Sequence, residues 1–329
     1  LVVIPPTDGR LKTFGAIPYW DQTNATRVFK QQVDHYDAIS LFWYRLDTEG
    51  WVVNYMDAKE DPLLVAFAHD HGVQVFGLIA NLPEQGDWDP ERVRKAIGDP
   101  LSRARHIQEI LQLVEDKNFD GINIDYEFLR DDQTASFTQF INELGAALHE
   151  RDKLLKVAIH PQRRGQPRRG QDLASLTGAD YLSLMTYDQH WETSDPGPMA
   201  GITWMRDVLE YTRSLGVPMH KVHLGIPLDG YDWPLISEQY NEWGRANGLQ
   251  YSEVVTLANR YDVDVRFDEE DQVPYSYERE GTYHEVWFEN VKSFEPKLEL
   301  AKEFGLGGVG LWRMGAEDMR IYELLDTKE

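Results

Sequence analysis

Short apolar runs alternate with helix-length amphipathic segments along most of this 329-residue chain. Each run is rich in Val, Ile, Leu or aromatic residues, as expected for strands that are buried on both faces. Strands that alternate with helices form parallel sheets, and eight such units close into a barrel. The sequence therefore predicts an α/β protein with a (β/α)₈ TIM barrel. The eight runs are Phe14–Trp20, Ala38–Tyr44, Gln74–Ala80, Gly121–Glu127, Lys156–His160, Tyr181–Tyr187, Val222–Leu228 and Gly308–Trp312.

One interval breaks this rhythm, between the seventh run and a helical segment near Val291–Phe304. It contains a helix-like stretch and three short alternating runs, with an acidic turn at 268–271. We expect one barrel over residues 1–329, with a small α+β insertion over 234–290 that forms one wall of the cleft at the C-terminal face. The helix-like stretch and the runs are Ser252–Arg260, Val263–Phe267, Val273–Tyr277 and Thr282–Phe288.

Composition restricts the partners of this chain. Its net charge of −23 disfavours nucleic acid and anionic membranes. No run of 18 apolar residues is present, so no membrane span is predicted. The absence of cysteine excludes a thiolate zinc site and a cysteine nucleophile. No phosphate-binding loop or dinucleotide fingerprint is present, so we predict no cofactor and no metal. The oligomeric state is open.

The segment from Asp120 to Glu127, read Asp-Gly-Ile-Asn-Ile-Asp-Tyr-Glu, is the strongest chemical signal. Alternate side chains of a strand face opposite sides, so Asn123, Asp125 and Glu127 share the face inside the barrel. Carboxylates buried there are costly unless they are paired or hydrogen-bonded. Polar residues at the C-terminal ends of barrel strands usually serve catalysis. The alternative is a purely structural polar layer held by the neighbouring strands.

Two carboxylates two residues apart are able to divide their roles. The charge of Asp125, together with partial burial, would raise the pKa of Glu127 and keep it protonated as a general acid.

The eight-residue segment resembles the DGxDxDxE signature of glycoside hydrolase family 18, the chitinase family. Asp120, Asp125 and Glu127 match three of its four acidic positions. Asn123 departs from the pattern, because many members carry an aspartate there that helps to set the charge state of the middle carboxylate.

Two further segments resemble the same family. Tyr181–Asp188 contains Met185, Tyr187 and Asp188 in the order of its sixth-strand MxYD motif, whose tyrosine and aspartate hold the N-acetyl group of the substrate. Gly308–Trp312 resembles its last strand, whose tryptophan forms the floor under the sugar at the cleavage site.

Leu224–Trp233 and His284–Glu289 are similar to a narrower branch of the family. That branch contains bacterial spore-germination and cortex-lytic proteins that act on N-acetylglucosamine in peptidoglycan. The sugar-binding LysM modules that usually accompany this branch are not recognisable in the 329 residues.

The resemblance implies a retaining glycoside hydrolase that cleaves β-1,4 bonds of N-acetylglucosamine-containing glycans through an oxazolinium intermediate. It implies that Glu127 is the acid and that Asp125 binds the acetamido N–H. Tyr187 and Asp188 would orient the acetamido group, and Trp312 would stack on the ring. Residues 1–6 are too short for a signal peptide, so the expected secreted or cell-envelope location rests on the implied substrate.

Further candidates lie at other strand ends. We expect Asp229 near the rim, Trp233 over the cleft, and one of the aromatic residues Phe42 to Tyr44 in the site. Phe42 and Tyr44 are both retained as candidates for substrate binding. His160 either contacts substrate or is a satisfied buried histidine.

Two other functions are compatible with the sequence. A non-catalytic, chitinase-like lectin would share the barrel, although such lectins arise by loss of the acid and Glu127 is present. A metal-dependent barrel enzyme would use Asp120, Asp125 and Glu127 as ligands, although no histidine lies at a characteristic spacing.

Overall fold

The computed structural model describes residues 10–166, 169–267 and 273–327. Its strands are β1 (Lys12–Pro18), β2 (Ala38–Leu46), β3 (Val52–Asn54), β4 (Gln74–Ala80), β5 (Gly121–Asp125), β6 (Leu154–Ile159), β7 (Tyr181–Leu184), β8 (Val222–Pro227), β9 (Gly230–Ser237), β10 (Glu242–Trp243), β11 (Asn247–Leu249), β12 (Val273–Arg279), β13 (Thr282–Phe288) and β14 (Gly308–Trp312). Its helices are α1 (Gln22–Gln31), α2 (Pro62–Asp70), α3 (Pro90–Ile97), α4 (Pro100–Asp116), α5 (Thr134–His149), α6 (Ile202–Ser214), α7 (Tyr251–Arg260) and α8 (Val291–Glu303).

Eight parallel strands form a closed barrel. Their order is β1-β14-β8-β7-β6-β5-β4-β2, and pairing between β1 and β2 closes the sheet. Strand β3 pairs antiparallel with the C-terminal end of β2. The predicted TIM barrel is therefore confirmed. Within the described part of the chain, no helix combines the length and the apolarity that crossing a membrane requires.

The helices around the barrel begin at sequence signals that are visible in the chain. Asp61, Asp89 and Asp99 each precede a proline, and each side chain accepts backbone N–H groups of the first helical turn. An aspartate at the cap satisfies donors that have no partner within the helix, and the proline lacks a donor where none is needed.

The N-terminal end of the barrel is filled by apolar side chains. A cluster of mainly aromatic residues packs there, so the interior is closed at that end. The polar residues of β5 lie above this layer, toward the C-terminal end, which leaves that end available for a site. The members of the cluster are Phe14, Ala38, Phe76, Leu154 and Tyr181.

A second, antiparallel sheet lies between β8 and α8. Strands β10, β9, β13 and β12 pair in that order, β11 pairs with β9, and α7 packs on the sheet through a small core of its own. Only residues 228–229 separate β8 from β9, so this sheet begins before the predicted boundary at 234.

The predicted strand Val263–Phe267 is wrong. The segment follows the end of α7, where Val263 N–H donates to Ala258 O, and Arg266 N–H donates to Pro274 O at 3.3 Å. Alternating residue types made it resemble a strand, but among the described residues it makes no ladder with β12. The predictions for residues 1–6 and for the acidic turn 268–271 lie outside the described residues.

Candidate active site

Strand β5 presents its polar residues to the barrel interior. Asn123 and Asp125 are 4% and 6% exposed, while Ile122 and Ile124 are fully buried in the core between barrel and helices. The strand ends at Asp125, and Glu127 lies two residues beyond it with a side chain that is 12% exposed. The alternation of a single strand therefore separates an apolar outer face from a polar inner face.

The backbone of Glu127 is held by Asn81, which follows β4. The Asn81 Nδ2 group donates to Glu127 O at 3.0 Å, and Glu127 N–H donates to Asn81 Oδ1 at 2.8 Å. Asn81 is fully buried. The next residue, Phe128, has a φ of 53°, in the left-handed region that few non-glycine residues adopt. This two-point contact holds Glu127 at the mouth of the barrel.

His160 contacts the same carboxyl group. Its Nε2 atom lies 3.1 Å from Glu127 Oε2 and accepts Phe128 N–H at 3.2 Å. Burial, and secondarily the charge of Arg169, lowers the pKa of His160 to about 3. The neutral ring has one lone pair on Nε2, which Phe128 N–H and the hydroxyl of a protonated Glu127 would share. His160 therefore faces the site as well as being buried.

The charges around Glu127 favour its protonated form. Burial raises the pKa of Glu127 well above its usual range, and the carboxylates of Asp125 and Asp188 raise it further. Arg169 acts in the opposite direction. Burial also raises the pKa of Asp125, to about 7, with Lys156 lowering it. This direction supports the predicted division between a protonated Glu127 and a more acidic Asp125.

The end of β7, two strands along the barrel from β5, forms another part of the mouth. Met185 lines the cavity above Asn123 and is 8% exposed, while Asp188 is exposed at the rim with a φ of 57°. Burial raises the pKa of Tyr187 well above its usual range, and four carboxyl groups around it raise it further. The phenol therefore remains a hydrogen-bond donor. The four carboxyl groups around Tyr187 are those of Asp125, Glu127, Asp188 and Asp229.

Trp312 forms an aromatic floor at the end of β14. Its ring is nearly parallel to that of Tyr187, with centroids 6.3 Å apart and an interplanar angle of 14°. Phe42 lies 6.2 Å from Trp312, is 2% exposed and supports it from the β2 side. Trp20, which is 48% exposed, lies 6.1 Å away. The flat indole of Trp312 is partly exposed and is therefore able to stack on a sugar ring.

Asp229 and Trp233 have different surroundings. Burial raises the pKa of Asp229 to about 7, Arg313 lowers it, and Asp188 raises it. Trp233 is fully buried behind Tyr231, with ring centroids 5.4 Å apart. The prediction that Trp233 contacts substrate is wrong, because none of its indole is exposed to the cleft.

The side chain of Tyr44 points outward from the barrel strand β2, so its predicted role in the site is wrong. A register shift between Phe42 and Tyr44 interrupts the alternation of β2, so the two side chains point to opposite faces. The Tyr44 hydroxyl donates to Glu60 at 2.7 Å, and its ring lies 6.3 Å from that of Phe119 in the outer core. A bulge of this kind depends on pairing with the neighbouring strand.

Tyr44→Phe is expected to leave kcat/KM unchanged and to lower the free energy of unfolding by about 1 kcal/mol, the usual net value of one hydrogen bond. Thermal denaturation and initial rates would measure both effects. The matched control is Tyr187→Phe, the same change inside the mouth, which should reduce kcat. A reduced rate in Tyr44→Phe at unchanged stability would place Tyr44 in the site after all.

Asp120 is separated from the other acidic residues of the signature. It lies at the N-terminal end of β5, where its Oδ2 atom accepts Val75 N–H at 2.7 Å and lies 2.9 Å from His69 Nε2. Five residues of strand place it about 16 Å from Asp125. The metal-dependent alternative, which required Asp120, Asp125 and Glu127 to share an ion, is therefore wrong. Among the described residues, no group of three or more His, Asp or Glu side chains is arranged to hold a metal.

Comparison with known proteins agrees with this geometry. Residues 82–317 match the family described as glycosyl hydrolases family 18. The chain belongs to this family. The predicted membership is thus confirmed.

Several relatives of this family 18 chain come from Bacillus species. It is 28% identical over 282 residues to a putative sporulation-specific glycosylase of Bacillus subtilis (strain 168), covering 84% of this chain and 65% of the relative. It is 28% identical over 259 residues to the cortical fragment-lytic enzyme of the same strain, covering 76% and 59%. The chain thus spans less than two thirds of these relatives. A chitinase structure from Chromobacterium violaceum ATCC 12472 superposes with a TM-score of 0.85 at 27% identity, covering 95% of this chain and 97% of the other.

Three supporting residues of this family 18 site were not predicted from the sequence. Asn81 holds the backbone of Glu127. The side chain of Gln171 accepts the backbone N–H of His160 and donates to Ala158 O. Lys156 lines the cavity below Asp125. A polar residue directly after an apolar strand could have indicated Asn81. A lysine within the apolar run of β6 could have indicated Lys156.

Proposed function

We propose that this chain is a retaining glycoside hydrolase that cleaves β-1,4 bonds in N-acetylglucosamine-containing glycans, either chitin-like or peptidoglycan. The observation that carries the proposal is the set of groups at the barrel mouth. A buried acid pair, Asp125 and Glu127, faces the Tyr187 hydroxyl beside the partly exposed Trp312. This set supplies an acid, an acceptor, a donor and a ring platform.

Each group has a role in the proposed reaction. Glu127 donates its proton to the glycosidic oxygen as the bond to the anomeric carbon breaks. The carbonyl oxygen of the substrate's own 2-acetamido group attacks that carbon and forms an oxazolinium ion, which is the substrate-assisted route of this family. Asp125 accepts the acetamido N–H and stabilises the positive charge. The Tyr187 hydroxyl and Asp188 orient the acetamido group.

The second step returns the acid to its starting form. Glu127, now a carboxylate, removes a proton from a water molecule that attacks the anomeric carbon from the side of the departed group. The oxazolinium ring opens, and the configuration is retained. Because the nucleophile belongs to the bound substrate, positioning replaces a second nucleophilic carboxylate.

The comparisons support the proposed substrate class. One relative is named a cortical fragment-lytic enzyme, and the superposed structure is named a chitinase. We therefore propose chitin-like glycan and peptidoglycan as the two candidate substrates, and a secreted or cell-envelope location, where such polymers occur. The alternative function is a non-catalytic lectin. The presence of Glu127, with the raised pKa of an acid, favours the hydrolase.

The test is hydrolysis of chitooligosaccharides and of purified peptidoglycan, with products identified by mass spectrometry. Cleavage of either polymer would establish the activity and name the substrate. Binding of either glycan without cleavage would favour the lectin and overturn the hydrolase.

Dependence on the acetamido group tests the mechanism. We expect a fully N-acetylated chitooligosaccharide to be cleaved at least about 10³-fold faster than the glucose oligomer of the same length, because only the former carries the internal nucleophile. The ratio of kcat/KM values measures this. The control is binding of both oligomers to Glu127→Gln, which separates recognition from chemistry. Equal rates for the two oligomers would exclude substrate assistance.

A further inference from the structure

The barrel interior contains a buried lysine beneath the acid pair. Lys156 is 5% exposed and lies in register with Asn123 on β5 and Tyr181 on β7. Its side chain lines the same cavity as Asn123 and Asp125. A buried ammonium group is costly unless an opposite charge balances it. Among the described residues that line this cavity, Lys156 is the only base and Asp125 the only acid.

We propose that Lys156 is a positioning residue whose ammonium group favours the ionised form of Asp125, and that the neutral Asn123 leaves this ammonium free to do so. The proposal rests on the hydrolase function proposed above. It assigns to a residue on β6 the control of charge that a third acidic residue on β5 would otherwise exert.

Asn123 lies where the charge of its side chain would determine how strongly Lys156 acts on Asp125. Its Nδ2 group donates to Ser40 Oγ at 3.4 Å, and its buried Oδ1 atom makes no hydrogen bond within the described structure. The Oδ1 atom of Asp125 is likewise buried without a hydrogen bond there. A carboxylate at position 123, in register with Lys156, would pair with the ammonium and cancel its effect on Asp125.

The described groups that face Lys156 favour its ammonium form or are neutral, so its charge is free to act on Asp125. Burial lowers the pKa of Lys156 to about 8, and Asp125 raises it, so the ammonium form predominates at neutral pH. The Phe14 ring lies 4.9 Å from Nζ and favours a cation. Burial and the charges of Lys156 and Lys12 lower the pKa of His223 on β8, and burial raises that of Tyr181 on β7 to about 12. Both are therefore neutral.

Among the described residues, Lys156 is the only cation whose charge acts on Asp125. The other groups near Asp125 are acids or phenols. They are Glu127 beyond β5, Tyr187 beyond β7 and Tyr55 beyond β3, and the two tyrosines stay neutral because burial raises their pKa values. Lys156 lowers the pKa of Asp125, and the Asp125 charge raises that of Glu127. The ammonium thus acts on the acid through Asp125.

The experiment replaces Lys156 with methionine, whose side chain is of similar length but carries no charge. Aspartate labelled with ¹³C at the carboxyl carbon reports the titration of Asp125, and the signal is assigned by its loss in Asp125→Asn. We expect Lys156→Met to move this midpoint to higher pH by about one unit, the size of one unit charge in a protein interior. The acidic limb of kcat/KM should move the same way.

Lys12→Met is the matched control. Its ammonium lies lower in the barrel, 3.5 Å from the Tyr181 hydroxyl, and should leave the midpoint and the rate profile unchanged. Asn123→Asp is the second variant, and it remains informative if Lys156→Met does not fold. The new carboxylate should pair with Lys156 and also move the Asp125 midpoint to higher pH. A gain in activity with an unmoved midpoint would instead mark Asn123 as a degraded catalytic position.

The two proposals fail in different ways. An Asp125 midpoint that stays in place in folded Lys156→Met overturns the role of Lys156, whatever the activity. A midpoint that moves while the wild-type protein hydrolyses no glycan supports the charge coupling and overturns the hydrolase function instead.

Discussion

Glu127→Gln is expected to lower kcat/KM by about 10²–10⁴-fold, the range that a positioned general acid contributes. Glutamine has the same shape but no acidic proton to donate to the leaving oxygen. The fold should persist, because Asn81 holds the backbone of residue 127 and not its side chain. Initial rates on the substrate identified by mass spectrometry, with thermal denaturation alongside, would measure both properties.

Glu109→Gln is the matched control for this variant. Glu109 is a half-buried glutamate on α4 that contacts His106 and accepts Val52 N–H outside the barrel. The Glu109→Gln variant should have a lower free energy of unfolding and an unchanged kcat/KM. If Glu127→Gln retained wild-type turnover, the acid would have to be another group, and the proposed mechanism would be rejected. If it bound the oligosaccharide with wild-type affinity, the loss would belong to the chemical step.

Asp125→Asn is expected to lower kcat/KM by about 10²–10³-fold, because a preorganised group that stabilises the developing charge is removed. It should also change the pH profile. The Asp125 carboxylate raises the pKa of Glu127. Without that charge, Glu127 loses its proton at lower pH, so the basic limb of kcat/KM should move down by about one pH unit. The direction of this shift separates an electrostatic role from simple damage to the site.

Asp120→Asn is the matched control, because it makes the same change on the same strand at the opposite end of the barrel. Its contacts with His69 and Val75 are structural, so it should lower stability without moving either limb of the profile. A basic limb that stays in place in Asp125→Asn would show that the charge of Asp125 does not hold the proton on Glu127.

The alternation of residue types determined most of the fold and the centre of the site. Eight apolar runs separated by amphipathic segments specify a parallel barrel, because each run is buried on both faces. In the run that became β5, alternate polar positions placed Asn123 and Asp125 on one face, since side chains of a strand alternate by geometry alone. Both are local properties, so the sequence by itself was sufficient.

Only the tertiary structure decided which neighbours meet across strands. The bulge that turns Tyr44 outward arises from the register between β2 and β4, and packing in the folded chain buries Trp233 completely. The contact of Asn81 with Glu127 and that of His160 with Phe128 join residues 46 and 32 positions apart in the chain. Lys156 reaches the Asp125 cavity from the strand next to β5. A periodic pattern states which face a side chain occupies. Register and barrel closure determine what lies opposite it, and with that the charge state of the acid.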